Sequence, residues 1–152
     1  MSQPGATIIL IILSSDKTQL TLFHGKSAYP VYLGIGNIPK DIHQKLSCST
    51  QMVVGYIPTT KLEGIANKAA CRRSLANLFH SCMEHLMGPI HGYGEWGLVM
   101  MSGDGTWRRC HPILTSFIGN YPEQALVTCT YNGRCPKCLV PVDTDQLSGF
   151  PV

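Results

Sequence analysis

The sequence predicts a mixed α/β domain in which antiparallel strands come first, one amphipathic helix follows, and further strands close the chain. Three observations carry this. Ala6 to Leu13 reads A-T-I-I-L-I-I-L, and its Ile8–Leu13 core is the continuous apolar run of a strand covered on both faces. Leu75, Leu78, Phe79, Cys82 and Leu86 fall at steps of three and four, one face of a helix. Beyond Gly88-Pro89, apolar runs of strand length return.

The remaining elements follow in order. Gln19–Phe23 reads as a second strand, and His24-Gly25-Lys26-Ser27 as a turn. Tyr29–Ile35 is a third strand, punctuated by Asn37-Ile38-Pro39-Lys40, and Met52–Ile57 a fourth, closed by Pro58. The helical stripe is clean from Leu75 onward and is expected to stop at Gly88-Pro89. Projected backwards, Lys68 and Arg72 fall on the face of Phe79, so either the helix begins late or these charges sit at a rim. Gly97–Met101, Ile113–Ile118 and the shorter Ala125–Cys129 read as strands. Between them lie Ser102-Gly103-Asp104-Gly105 and Gly119-Asn120-Tyr121-Pro122-Glu123. Residues 1–140 form the expected domain, and Pro141–Val152 is expected to be a poorly ordered tail.

Composition bounds the function. A chain of 152 residues, 44% hydrophobic and 14% charged, is globular and can build one core. The formal charge of +3 demonstrates no nucleic-acid partner, which would need a local basic patch. Thr7–Leu13 is far short of the ~20 residues a helix needs to cross a bilayer, so no membrane partner is expected. Met1–Gly5 carries no Lys or Arg, and Ser14-Ser15-Asp16 is no cleavage site, so the protein is expected to be intracellular. Seven cysteines then read as thiols or metal ligands, an odd number that argues against a fully paired disulfide framework.

Three antiparallel strands, a crossover helix and a further strand are the opening half of a ribonuclease-H-like α/β fold. The expectation is therefore a partial ribonuclease-H-like fold, incomplete at its C-terminus. That architecture places acids at the first strand, at the tip of the fourth and on a later helix, where they hold two metal ions for phosphoryl transfer.

Each candidate residue has a functional and a structural reading. Asp16 is either a Mg²⁺ ligand at a stiff strand end or a turn former whose side chain bonds nearby backbone N–H groups. Asp104, in Gly-Asp-Gly, reads as a turn former. Cys135-Pro136-Lys137-Cys138 has the spacing with which two thiolates grip Zn²⁺. It is half a site, to be completed by Cys129, Cys110 or His111 if the fold brings them close, and the structural reading is two free thiols at a turn. His80, His85 and His111 beside Cys82 and Cys110 raise hydrolase chemistry, but neighbours in sequence rarely face each other. Arg72-Arg73 and Arg108-Arg109, the latter after Trp107, are the basic dipeptides that phosphates would meet, or solvated charge.

The strings IILSSDKTQLTLF, YPVYLGIGNIPKDI, LANLFHSCM, GDGTWRRCHPIL, NYPEQALVTC and NGRCPKC resemble the core of Plavaka-type transposases. These belong to fungal DNA transposons similar to the CACTA (En/Spm) group, and the likeness runs from about Ile8 to Val140. It implies a ribonuclease-H-like DDE transposase that cuts and joins DNA ends with two Mg²⁺ ions, acting in the nucleus if expressed. By position, Asp16 in its Ser-x-Asp context corresponds to the first catalytic acid. The second acid, in an Asp-(Tyr/Phe)-Pro-Glu context, corresponds to Asn120, a departure from the family pattern; Asp104 is the alternative. Cys135 and Cys138 match the family's Cys-Pro-x-Cys, read as Zn²⁺ ligands. The third acid and the DNA-end-binding region of the family are not found in these residues. The resemblance thus implies a truncated, inactive transposase fragment. Two other readings stand beside it: a DNA- or protein-binding remnant using Arg72, Arg73, Arg108 and Arg109, and a small structural zinc protein.

Overall fold

A computed structural model of the chain describes residues 5–21, 26–45, 48, 50–131 and 134–137. It forms two units, Met1–Ile118 and Gly119–Val152. The first is a mixed α/β unit with a five-stranded sheet. Its strands are β1 (Ala6–Ser15), β4 (Pro30–Ile35), β5 (Gln51–Tyr56), β6 (Leu98–Met101) and β7 (Trp107–Ile118), in the spatial order β5-β4-β1-β7-β6. β1 runs antiparallel to β4, β4 antiparallel to β5, β1 parallel to β7, and β6 antiparallel to β7. A separate two-stranded ribbon pairs β2 (Thr18–Gln19) with β3 (Ser27–Ala28). Among the described residues of the first unit the α-helices are α1 (Lys40–His43) and α2 (Lys68–Trp96).

β1 is central and its side chains alternate. Ile11, Leu13 and Ser15 are buried, whereas Ile8 on the other face is 52% exposed. The apolar run is therefore buried on one face at Ile11 and Leu13, while on the other Leu10 and Ile12 are partly covered and Ile8 stands exposed, less cover than its continuous hydrophobicity suggests. The cover of the buried face is α2. Gly55 of β5 pairs with Val31 of β4, which pairs with Ser15, and a Cβ at Gly55 would lie 3.0 Å from a Leu86 methyl. Phe79 is buried on the same helix, its ring 6.1 Å from that of Tyr29.

The central position of β1 leaves gaps in its hydrogen bonding that side chains close. β4 pairs only with Ile11–Ser15. Farther back, the Asn37 side chain acts as a short piece of strand, accepting from Leu10 N at 2.7 Å and donating to Ile8 O at 3.0 Å. On the other edge the register with β7 shifts between Ile11 and Ile12, leaving Thr115 unpaired. The Thr115 hydroxyl donates to Ile11 O at 3.0 Å and satisfies the carbonyl that the bulge exposes.

Several expectations need correction. Gly88-Pro89 does not end the helix: α2 runs 29 residues, from the Asn67 N-cap to Trp96. An interior proline removes one helical hydrogen bond at a cost of about 3 kcal/mol, and tertiary contacts hold the last turns regardless. His111 Nδ1 lies 3.0 Å from Gly94 O, and Arg109 donates to Trp96 O at 2.8 Å. At the other end the helix does begin at Lys68, with Lys68 and Arg72 exposed at its rim. Of Gln19–Phe23, Gln19 is strand and Leu20 and Thr21 are not; Leu22–Gly25 lie outside the described residues. β7 starts at Trp107, earlier than Ile113, and tolerates Pro112 because β6 pairs only with Trp107–Cys110, leaving that edge open beyond.

The second unit contains α3 (Tyr121–Val127), where a strand over Ala125–Cys129 is expected from apolar residues alone. The start signals decide for helix. Asn120 is the N-cap, its side chain accepting from Glu123 N at 3.1 Å, and Pro122 occupies the first turn. A short apolar run cannot be told from a strand by period, and the cap outweighs it. The expected tail, Pro141–Val152, lies outside the described residues.

Candidate functional site

β1 leaves the sheet after Ser15, and Asp16-Lys17 link it to the β2–β3 ribbon. Asp16 is exposed, and among the described residues no hydrogen bond or ion pair engages its carboxylate. Thr18 Oγ1 donates instead to the Asp16 backbone carbonyl, at 3.5 Å. The side-chain bonding expected of a turn-forming Asp is thus not seen, and the carboxylate faces solvent. Ser15, one residue back, is 4% exposed, and its hydroxyl has no hydrogen-bond partner among the described residues.

Asp104 lies elsewhere. The parallel register runs from Ala6↔Arg109 to Ser14↔Ile118, so the turn before β7 sits at the opening end of β1 and Asp16 at its closing end. At a rise of ~3.3 Å per residue the two acids are on the order of 30 Å apart. Nor is Asp104 idle. It accepts two hydrogen bonds from Arg108, at 2.8 and 2.7 Å, and one from Thr106 N at 3.0 Å. The Arg108 guanidinium, helped by the Thr106 amide, holds its carboxyl well below the usual carboxylate range. Gly105, at φ 75°, closes the turn. Asp104 and Asp16 therefore share no site.

Asn120, two residues past β7, caps α3 in the second unit; its carboxamide oxygen is committed to Glu123 N. Cys135 is exposed, with Lys137 N donating to its sulfur at 3.4 Å. Cys138 lies outside the described residues. Among the described residues no three His, Cys, Asp or Glu side chains converge as a metal site.

The basic dipeptides differ in availability. Arg108 is ion-paired to Asp104 in the β6–β7 turn and Arg109 bonds Trp96 O at the end of α2, so both guanidinia are engaged within the protein. Arg72 and Arg73 stand exposed on the first turns of α2. His111 bonds Gly94 O, His80 stacks edge-on against Phe79 at 5.5 Å, and Cys110 is buried. The bond of His111 is to a backbone carbonyl and not to a cysteine.

A cleft of about 670 Å³ is lined by Lys17, Lys26 and Lys61 with Ser27, Thr60 and Glu63. It lies where the residue after Asp16, the β2–β3 ribbon and the loop after β5 meet. Its three lysines are scattered over 45 positions of sequence, and no local pattern announces their meeting.

Among the described residues no helix is long and apolar enough to cross a membrane. A family model described as Plavaka transposase matches residues 1–149. No curated protein and no solved structure matches the chain.

Proposed function

Because the chain belongs to the Plavaka transposase family, we propose that it is a transposase-derived protein whose first unit is part of a ribonuclease-H-like core, with Asp16 at the first-acid position and no DNA cleavage of its own. The observation that carries this reading is the strand order. Three antiparallel strands, β1, β4 and β5, are followed by the crossover helix α2 and by β7 parallel to β1. Such an order places the end of the central strand, and so Asp16, at the rim of the sheet, where active sites of open α/β sheets gather. β6 departs from the simple pattern, entering as an antiparallel edge strand before β7.

The donor set argues for inactivity. Two Mg²⁺ ions would supply charge stabilisation and an activated oxygen nucleophile, and they require several carboxylates. Asp16 offers one. Asn120, at the position the family resemblance gives to the second acid, offers a neutral oxygen already accepting from Glu123 N. Asp104 is at the far end of β1 and ion-paired. These residues do not fit a two-metal site, and no cleavage step is assigned to them.

The test is a plasmid-nicking assay in Mg²⁺ with the full chain and with Asp16→Asn. The expected result is equal, background-level nicking in both. Nicking that disappears in Asp16→Asn would establish a working site and overturn the inactive reading.

A further inference from the structure

We propose that the cleft formed by Lys17, Lys26 and Lys61 seats the phosphodiester backbone of a nucleic-acid strand. The identity of the polyanion rests on the transposase reading; the location does not.

Lys17, Lys26 and Lys61 are exposed, and none has an ion-pair partner among the described residues, although Glu63 lines the same cleft. Three cations around one concavity repel one another, and an anion there removes that repulsion. The surroundings add to the field. Cys71 Sγ lies 3.8 Å from Lys61 O, which ties the first turn of α2 to the cleft loop. That turn carries no acid and presents Lys68, with Arg72 and Arg73 following. Six basic residues at this end, against Asp16 and Glu63, leave a formal charge of +4, whereas the whole chain carries +3. The positive charge of the protein is therefore concentrated at this end of the sheet.

The polar lining fits phosphate oxygens. Thr60 Oγ1 accepts from Leu62 N at 3.3 Å, which leaves its hydroxyl proton to donate. Thr59 donates to Ser27 O at 3.1 Å and braces the ribbon against the loop. The volume is within the ~300–1,000 Å³ span of ligand pockets. None of the described residues that line the cleft is aromatic, and its ammonium and hydroxyl groups are donors suited to phosphate oxygens. Recognition is of the backbone, with little sequence preference. The arginines of the β6–β7 hairpin, by contrast, are already engaged.

The experiment is fluorescence anisotropy with a fluorescein-labelled 20-nucleotide DNA strand, in EDTA, across a salt series. Lys17→Ala/Lys61→Ala is compared with Lys40→Ala/Lys45→Ala, which removes equal charge from exposed positions outside the cleft. The wild type is expected to bind at low salt. The cleft variant is expected to bind about tenfold or more weakly, with the slope of log K against log salt reduced by about 1 to 2. The control variant should stay within about twofold. Equal losses in the two variants, or no binding by the wild type at low salt, would overturn the proposal. Circular dichroism of each variant shows whether a loss reflects unfolding. The assay contains no metal, so its failure is separate from that of the nicking assay, which reads Asp16 alone.

Discussion

Asp104 and Arg108 hold each other across the hairpin turn, and the pair has a pH signature. The folded carboxyl titrates below its ordinary value of 3.8 because Arg108 and the Thr106 amide favour its charged form. A depressed acid adds stability that is fully present above the ordinary aspartate range and is lost as pH falls toward the folded value. At neutral pH, Asp104→Asn should therefore lower the thermal midpoint relative to wild type. The gap should close as both are measured below about pH 4. A gap that stays constant down to pH 2 would show that the carboxylate charge contributes nothing. The turn role of Asp104 was legible in Gly-Asp-Gly. Its partner Arg108, four residues on and across a hairpin, became identifiable only once β6 and β7 were paired.

At the scale of elements, α2 shows how tertiary contacts override a local stop. Gly88-Pro89 is a strong breaker in isolation, yet the helix continues for seven residues past Pro89, from Ile90 to Trp96. Gly97 then ends it, at φ 73° and ψ 151°, with its N–H bonded to Tyr93 O. That conformation suits glycine alone, and an added Cβ would lie 2.5 Å from Arg109 Cγ and 2.9 Å from His111 Nε2. Gly97→Ala is expected to cost about 1–3 kcal/mol through backbone strain, measured by urea denaturation. An unchanged midpoint would mean that the helix end is not held against β7 as described. The converse lesson comes from α3, where Asn120 and Pro122 were readable start signals and the apolar residues after them suggested a strand.

For the whole molecule, the sheet ends in the edge strands β5 and β6. Among the described residues nothing pairs with the outer side of β6, whose four residues, Leu98, Val99, Met100 and Met101, are all exposed and apolar. An uncovered apolar edge recruits further strands. The chain is expected to associate as its concentration rises, and Met100→Lys should shift sedimentation toward monomer. Identical sedimentation of the two would place the contact elsewhere. The other face of β1, with Ile8 half exposed, adds to the same tendency.

Local sequence was enough to locate most strands, the central helix and the family, because hydrophobic period and residue strings are carried by neighbours along the chain. It was also enough to mark Asp16 as an acid beyond a buried strand. Which residues meet was decided by the sheet. Parallel pairing of β1 with β7 sent Asp104 and Asp16 to opposite ends, and the junction of ribbon, loop and helix start gathered Lys17, Lys26 and Lys61 around one cleft. Such meetings depend on strand order and register, which are set by contacts between residues tens of positions apart and leave no trace in any short stretch of sequence.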